Sequence, residues 1–250
     1  MGSHETSIYT ALLIAASVIA MILAFFVISL IRQHRRNLQL HREKIQAEIA
    51  TLEKERKRMA SDLHDEIGPV LSAVKLQINS LDTQEPGDQQ LIQNAGKYID
   101  EILVKIREVS NDLMPSTLAR RGLYAAISDL AARVSHSYGV NINPSFTGNE
   151  STLQKEKEIH VYRVIQEIVH NCIKHSEASV IDISVNNSNT LLLLDIKDNG
   201  RGFDYKKVMR DNNGLGLKNI LSRVELMGGI MYLDTEPAKG VKYSIEIPST

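Results

Sequence analysis

The chain begins with an apolar run. Ile8 to Ile31 is 24 residues without a charged side chain. As a helix it would reach about 36 Å, enough to cross a hydrocarbon layer of roughly 30 Å with some tilt. A buried core helix seldom runs this long without a polar stripe. A cleaved signal peptide carries its basic residues ahead of a shorter apolar stretch. Here Arg32, Arg35 and Arg36 follow the run, which places its C-terminal side in the cytoplasm. The pattern predicts a transmembrane helix at 8–31 and a short extracytoplasmic N-terminus at 1–7. Within that N-terminus, Met1-Gly2-Ser3-His4 reads in part as a tag remnant. No folded sensor fits ahead of residue 8.

Beyond the run the apolar positions thin out and become periodic. Leu38, Ile45, Leu52 and Met59 recur every seven residues, and Ile49 and Leu63 fill the alternate positions. This is an a/d seam interrupted by Arg42 and Arg56, and it predicts a parallel coiled coil rather than a solvated single helix. The seam runs on through Ile67, Val70, Val74, Ile78 and Leu81, leaving His64 and Asp65 at the flanking b and c positions. Gly68-Pro69 interrupts the helix, because proline removes a backbone hydrogen bond. Residues 84–88 (Gln-Glu-Pro-Gly-Asp) read as a turn. A second amphipathic helix follows, carrying Leu91, Ala95, Ile99, Ile102, Leu103, Ile106, Val109 and Leu113, and Met114-Pro115-Ser116 ends it. Two long helices with a short link make a hairpin, and two copies make a four-helix bundle.

The second half changes period. Residues 122–138 read as a helix, Val140 to Phe146 as a strand despite Pro144, and Glu156 to His175 as a strong helix. Val180 to Val185 alternates as a strand, and Leu191 to Ile196 is continuously apolar, as for a central strand. Residues 203–213 are polar and turn-rich, suiting a mobile lid. Gly214-Leu215-Gly216-Leu217 opens a helix that Gly228-Gly229 closes, and Ile230–Leu233 with Val241–Ile247 read as a hairpin. In that last strand Val241, Tyr243, Ile245 and Ile247 should face inward.

Composition changes this picture little. The 250 residues carry 29 Lys+Arg and 30 Asp+Glu, a net charge of −1. That balance gives no global basic field for nucleic acid. It also averages unlike parts, since the connector after the apolar run leans basic and the remainder leans acidic. The single Cys172 forms no intrachain disulfide.

Three clusters can carry chemistry. A neutral imidazole nitrogen of His64 can attack phosphorus while Asp65 holds the other ring nitrogen and sets the tautomer. On helix 156–175, Glu167, Asn171, Lys174 and His175 share one face, opposite Ile165, Val169 and Cys172. That set suits a metal held through an amide oxygen and phosphates held by cations. Asp198 beside Gly200 and Gly202 can accept a hydrogen bond from an exocyclic amine where glycines let a ligand approach. Gly214 and Gly216 stand at a helix N-terminus, which favours a phosphate.

In this order and spacing the elements resemble a known family. Helix 156–175 resembles the N box of the histidine-kinase type of ATPase. Asp198-Asn199-Gly200-Arg201-Gly202 resembles its G1 box, and Gly214-Leu215-Gly216-Leu217 its G2 box. Arg58 to Gly68 looks like the phosphoacceptor motif of the NarL-partner class of sensor histidine kinases, and Leu113-Met114-Pro115 through Gly122-Leu123 like that class's bundle-to-ATPase junction. The resemblance covers residues 38–250 and, together with the apolar run ahead of it, implies an α+β architecture in five parts. These are the N-terminus 1–7, the transmembrane helix 8–31, a signalling coiled coil 32–58, a dimeric four-helix-bundle phosphoacceptor domain 59–116, and an α/β sandwich ATP-binding domain of the GHKL type 117–250.

By the same resemblance His64 is autophosphorylated from Mg-ATP, with Asp65 orienting it and Glu167 as a catalytic or water-organising carboxylate. Asn171 would ligate Mg²⁺, Lys174 and His175 would contact phosphates, and Asp198 would recognise adenine in a pocket shaped by Gly200 and Gly202. Gly214, Leu215 and Gly216 would serve the lid hinge and phosphate contact. The implied cofactors are ATP and Mg²⁺. The implied partners are a second copy of the chain, a response-regulator receiver domain of the LuxR/NarL type, the inner (plasma) membrane, and a membrane-embedded or N-terminal sensor partner, with no nucleic acid. Two positions depart from the pattern. The class has glutamine five residues after the histidine where Pro69 stands. The wider group pairs proline there with Thr or Asn, where this chain has Gly68, so neither phosphatase device is present. The closing strand begins Gly240-Val241 instead of Gly-Thr. Two other readings are a non-enzymatic, membrane-bound dimeric ATP-binding scaffold and an ATPase of the DNA-repair or chaperone type. Intact His64, Asp65, Asn171 and Asp198 speak against the first, and the membrane span, short lid and His64 helix against the second.

Overall fold

The computed structural model describes residues 3–81, 85–149, 153–210 and 215–249. It divides into two compact units, Met1–Leu52 and Glu53–Thr250. The first unit is helical throughout its described residues and belongs to α1 (Ser3–Asp62). Met21, Phe25 and Phe26 are 73%, 72% and 62% exposed, and the helix is long and apolar enough to cross a membrane. Large apolar side chains at this density are costly in water and favourable in lipid.

The second unit opens with the last turns of α1. A π-helical turn at Leu63–Ile67 follows, then α2 (Gly68–Asn79), α3 (Pro86–Leu113) and α4 (Ser116–Tyr138). The helix does not break at Gly68-Pro69. Pro69 falls in the first turn of α2, and the Gly68 N–H donates to the carbonyl of Leu63 five residues back. The wide turn relieves the clash that a proline ring makes with the carbonyl four residues earlier. Pro86, Gly87 and Asp88, expected in a turn, form the first turn of α3, where proline is pre-organised. Gln84 lies outside the described residues. α2 packs along α3, Lys75 bridges to Asp100 at 2.6 Å, and the Ser110 hydroxyl donates to the Ala60 carbonyl. The apolar seam stays open in the single chain, with Leu52, Met59 and Val70 at 46%, 42% and 61% exposure.

α4 begins at Ser116, six residues before the expected start, and kinks at Gly122, whose φ of 83° only glycine adopts easily. Then come β1 (Asn141–Gly148), α5 (Lys155–Asn171), a second π-helical turn (Cys172–Ser176), β2 (Val180–Asn187), β3 (Leu191–Asp198), α6 (Tyr205–Arg210), α7 (Leu215–Leu226), β4 (Ile230–Thr235) and β5 (Val241–Pro248). The strands form one sheet in the order β1-β2-β3-β5-β4, with β1 parallel to β2 and the other pairs antiparallel. Pro144 is tolerated because β1 is an edge strand. β3 is central, as its apolar run implies, but only alternate residues Leu192, Leu194 and Ile196 are fully buried. Helices cover one face of the sheet. Ile181, Ile183, Leu194, Ile196 and Ile245 meet Ile127, Ile165, Ile168 and Ile220 in a single core, a two-layer sandwich. The inward face of β5 is Val241, Tyr243, Ile245 and Ile247, as the alternation predicts.

Candidate active site

A cavity of about 300 Å³ opens where α5, the ends of β3 and β5 and the start of α7 converge. Its deepest polar group is Asp198, the last residue of β3, only 2% exposed. The Gly200 N–H donates to its Oδ1 at 2.8 Å. The Cys172 thiol donates to its Oδ2 at 3.4 Å. Burial, and then the adjacent Asp198 charge, push the Cys172 pKa far up, so the thiol stays a neutral donor. A carboxylate with two oxygens keeps further lone pairs free for a ligand.

Close packing of backbone holds this loop. A side chain at Gly200 would meet the Ser176 carbonyl at 2.3 Å, and one at Gly240 the Asp198 carbonyl at 2.2 Å. The Asn199 side-chain oxygen accepts from the N–H groups of Ser179 and Val180, both at 3.0 Å. Thr235 Oγ1 accepts from Phe203 N–H and donates toward Phe203 and Gly240 carbonyls.

Gly216, also in the cavity lining, lies in the first turn of α7. A Cβ there would stand 2.4 Å from Glu167 Oε1 and 3.3 Å from Asn171 Oδ1. An amide oxygen and a carboxylate thus face bare backbone across a gap that even a methyl group would fill. Among the described residues no group of three or more His, Cys, Asp or Glu side chains could hold a metal alone. This donor set fits Mg²⁺, which takes one or two protein ligands and completes its shell with phosphate oxygens and water.

The second cluster lies on the helical hairpin. The His64 side chain is 79% exposed, and its Nδ1 lies 3.0 Å from Asp65 Oδ1. The Ser61 hydroxyl donates to Asp65 Oδ2 at 2.8 Å. Hydrogen bonds from His64 first and Ser61 second hold the Asp65 pKa below its ordinary value. An ionised carboxylate only accepts, so Nδ1 is the ring nitrogen that carries a proton toward Asp65, and Nε2 is left as the nitrogen able to act as nucleophile.

Two families match the chain. Residues 55–118 match the family described as histidine kinase, and residues 156–250 that of histidine kinase-, DNA gyrase B- and HSP90-like ATPases. The chain thus carries, in order, the two domains that these histidine-kinase families describe. It is 30% identical over 220 residues to the oxygen sensor histidine kinase NreB of Staphylococcus carnosus, covering 86% of this chain and 62% of NreB. It is 28% identical over 208 residues to the sensor histidine kinase ComP of Bacillus subtilis, covering 80% of this chain and 27% of ComP. The chain therefore spans less than two thirds of these relatives. The histidine kinase domain of a blue-light activated histidine kinase from Erythrobacter litoralis superposes with a TM-score of 0.47 at 14% identity, covering 79% of this chain and 94% of that one.

Of the residues singled out in the histidine-kinase boxes, the cavity gathers Asn171, His175, Asp198, Gly202 and Gly216 at its lining. Glu167 stands beside Gly216, and Gly200 beside Asp198. Lys174 is exposed and does not line the cavity. Gly214 lies outside the described residues, and of Leu215 only the backbone, the first residue of α7, is described. Cys172, expected opposite the polar face, lines the cavity instead. The π-helical turn at Cys172–Ser176 is wider than an α-turn, so the phase extrapolated from α5 fails there. No cavity-lining residue belongs to the His64 helix.

Sequence reasoning also missed a buried ion cluster. Glu53 Oε2 accepts from Arg163 Nε and Nη2 at 3.1 and 3.0 Å, and Oε1 from Arg223 Nη2 at 2.7 Å. The arginine side chains are 3% and 8% exposed. Arg163 Nη1 also donates to the Asp112 carbonyl and to Gln166, and Nη2 to the Leu113 carbonyl. It thereby caps the free carbonyls at the end of α3. The only sequence signal was an arginine on the apolar side of a helix.

Proposed function

We propose that this chain is a membrane-anchored sensor kinase of the NarL-partner class that phosphorylates its own His64 from Mg-ATP. The phosphoryl group then passes to an aspartate on the receiver domain of a LuxR/NarL-type response regulator. The observation that carries this reading is the pairing of an exposed, tautomer-fixed His64 with the Asp198–Asn171–Gly216 cavity in one chain. Asp198 takes the adenine amine, with Gly200 and Gly202 shaping the pocket. Glu167 and Asn171 would hold the phosphates and their Mg²⁺ beside Gly216, and His175 in the cavity lining and Lys174 just outside it would contact the phosphates. Mg²⁺ when bound neutralises phosphate charge.

The His64 Nε2 lone pair forms the bond to the γ-phosphorus, the bond to the bridging oxygen breaks, and ADP leaves with that electron pair. Asp65 retains the Nδ1 proton and stabilises the ring as it becomes cationic. Transfer to a carboxylate oxygen of the receiver regenerates His64. The open seam of α1 and α2 supports a parallel homodimer with a four-helix bundle over 59–116. The run 8–31 supports a single-pass plasma-membrane anchor with the ATP-binding region, 117–250, in the cytoplasm.

Full-length protein in lipid nanodiscs, given Mg-ATP labelled at the γ-phosphate, should gain an acid-labile, alkali-stable label. His64→Gln should remove it, and Asn171→Ala should nearly remove it. Full labelling of His64→Gln refutes the acceptor assignment.

A further inference from the structure

One polar group in the cavity wall has no part in that reaction. Tyr243 stands on β5 opposite Ile196 of β3, lines the cavity and is 4% exposed. Its neighbours on the inward face, Val241, Ile245 and Ile247, are apolar. Among the described residues its hydroxyl has no hydrogen-bond partner. That oxygen is not among the fully buried unpaired atoms, so it opens on the cavity, where a tyrosine hydroxyl ordinarily finds a partner. Burial first, and then Cys172, Asp198 and Glu167 nearby, push its pKa well up, so the hydroxyl remains a neutral donor. The cavity wall thus presents an acceptor, Asp198, and, one same-face step along the β3–β5 ladder, an unused donor, Tyr243.

We propose that Tyr243 is a second base-reading residue of the nucleotide site, its hydroxyl donating to the ring nitrogen beside the adenine amine that Asp198 accepts. This rests on the reading above that the cavity holds the adenine of ATP. Both accessible edges of adenine set the N6 amine next to an acceptor nitrogen, N1 or N7, whereas guanine sets a carbonyl oxygen where that amine would be. An acceptor beside a donor matches adenine and turns the Asp198 carboxylate against the guanine carbonyl. The contact is made directly or through one bridging water, and in either case the hydroxyl is the protein's donor.

Tyr243→Phe removes one oxygen and keeps the ring. In full-length protein in nanodiscs, equilibrium binding of ATP, GTP, 1-deaza-ATP and 7-deaza-ATP reads the contact. The variant should lose about fivefold to tenfold in ATP affinity, the size of one hydrogen bond to an uncharged group. Its preference for ATP over GTP should shrink. One of the two deaza analogues, lacking the acceptor nitrogen, should bind wild type and variant alike. Without nucleotide the variant should melt no lower than wild type, since the oxygen has no protein partner to lose. Equal ATP affinity in the two proteins, the same fold-loss with every analogue, or a lower melting temperature without nucleotide overturns the proposal. If wild type binds no adenine nucleotide, the ATP reading of the cavity fails and takes this inference with it. Equal ATP binding by wild type and Tyr243→Phe removes this inference alone.

Discussion

Glu53→Gln separates charge from shape in the cluster with Arg163 and Arg223. Glutamine keeps the side-chain length and one acceptor oxygen but leaves two nearly buried guanidinium groups without their shared counter-charge. Removing one partner of a buried pair costs roughly 3–5 kcal/mol. Glu53 is 19% exposed, and Arg163 keeps its bonds to the Asp112 and Leu113 carbonyls and to Gln166. The cost therefore falls at or just below the bottom of that range, at about 2–3 kcal/mol. For a chain of this size that lowers the melting temperature by roughly 4–12 °C.

The pH dependence identifies the cause. Burial pushes the Glu53 pKa up, but the charges and hydrogen bonds of Arg163 and Arg223 together more than reverse this, leaving it below the ordinary glutamate value. Burial pulls the Arg163 guanidinium down, and it remains charged at any pH the protein meets. A depressed folded-state pKa means that the unfolded chain takes up the proton first as pH falls. The stabilisation is complete above the ordinary value of about 4.3 and disappears as pH drops through the lower folded-state value. Melting followed by circular dichroism from pH 8 to pH 3, with amide exchange at residues 110–116, measures both effects. Glu53→Gln should melt lower at pH 7, the gap should narrow below about pH 4, and exchange should rise at the end of α3. Melting within a degree of wild type at pH 7, or a gap unchanged at pH 3, refutes the argument.

Other outcomes follow from single contacts. Asp65→Asn should slow autophosphorylation about tenfold to a hundredfold at unchanged ATP affinity, because the amide no longer fixes the Nδ1 proton; single-turnover labelling separates rate from binding. Gly216→Ala puts a methyl group 2.4 Å from Glu167 Oε1 and should cut Mg-ATP binding at least about tenfold with the far-ultraviolet dichroism unchanged, since no positive φ is involved. Gly240→Ala combines a φ of +74° with a Cβ only 2.2 Å from the Asp198 carbonyl. It should cost about 2–3 kcal/mol in stability, read as a lower urea midpoint.

Most of the elements were legible because each carries its own period. The charge-free run, the seven-residue seam and the alternation of β5 follow from helix and strand geometry alone. Asp198, Asn171 and His64 were legible because their neighbours, the glycines of the turn and the Asp65 beside the histidine, limit what such residues can do. The local breaks were less legible. One π-helical turn stands just before Gly68-Pro69, where an interruption was expected, a second interrupts helix 156–175, which the periodicity carried straight through, and Pro86 begins a helix where composition reads a turn. A π turn leaves almost no mark in composition, being chosen by the backbone where a proline or a tight loop packs against it.

The sequence by itself determined which residues lie on which helix face or strand side, because those depend on bonds between near neighbours. Only the tertiary structure decided which faces meet. Glu53 meets Arg163 and Arg223 across 110 and 170 residues, and no local period encodes such a separation. Cys172 and Tyr243 read as ordinary buried positions. The turn after α5 placed the Cys172 thiol against Asp198, and the register of β5 against β3 placed Tyr243 in the wall of the same cavity. Those relations come from how layers close over a shared core, where burial and shape complementarity choose among the many pairings that the local patterns allow.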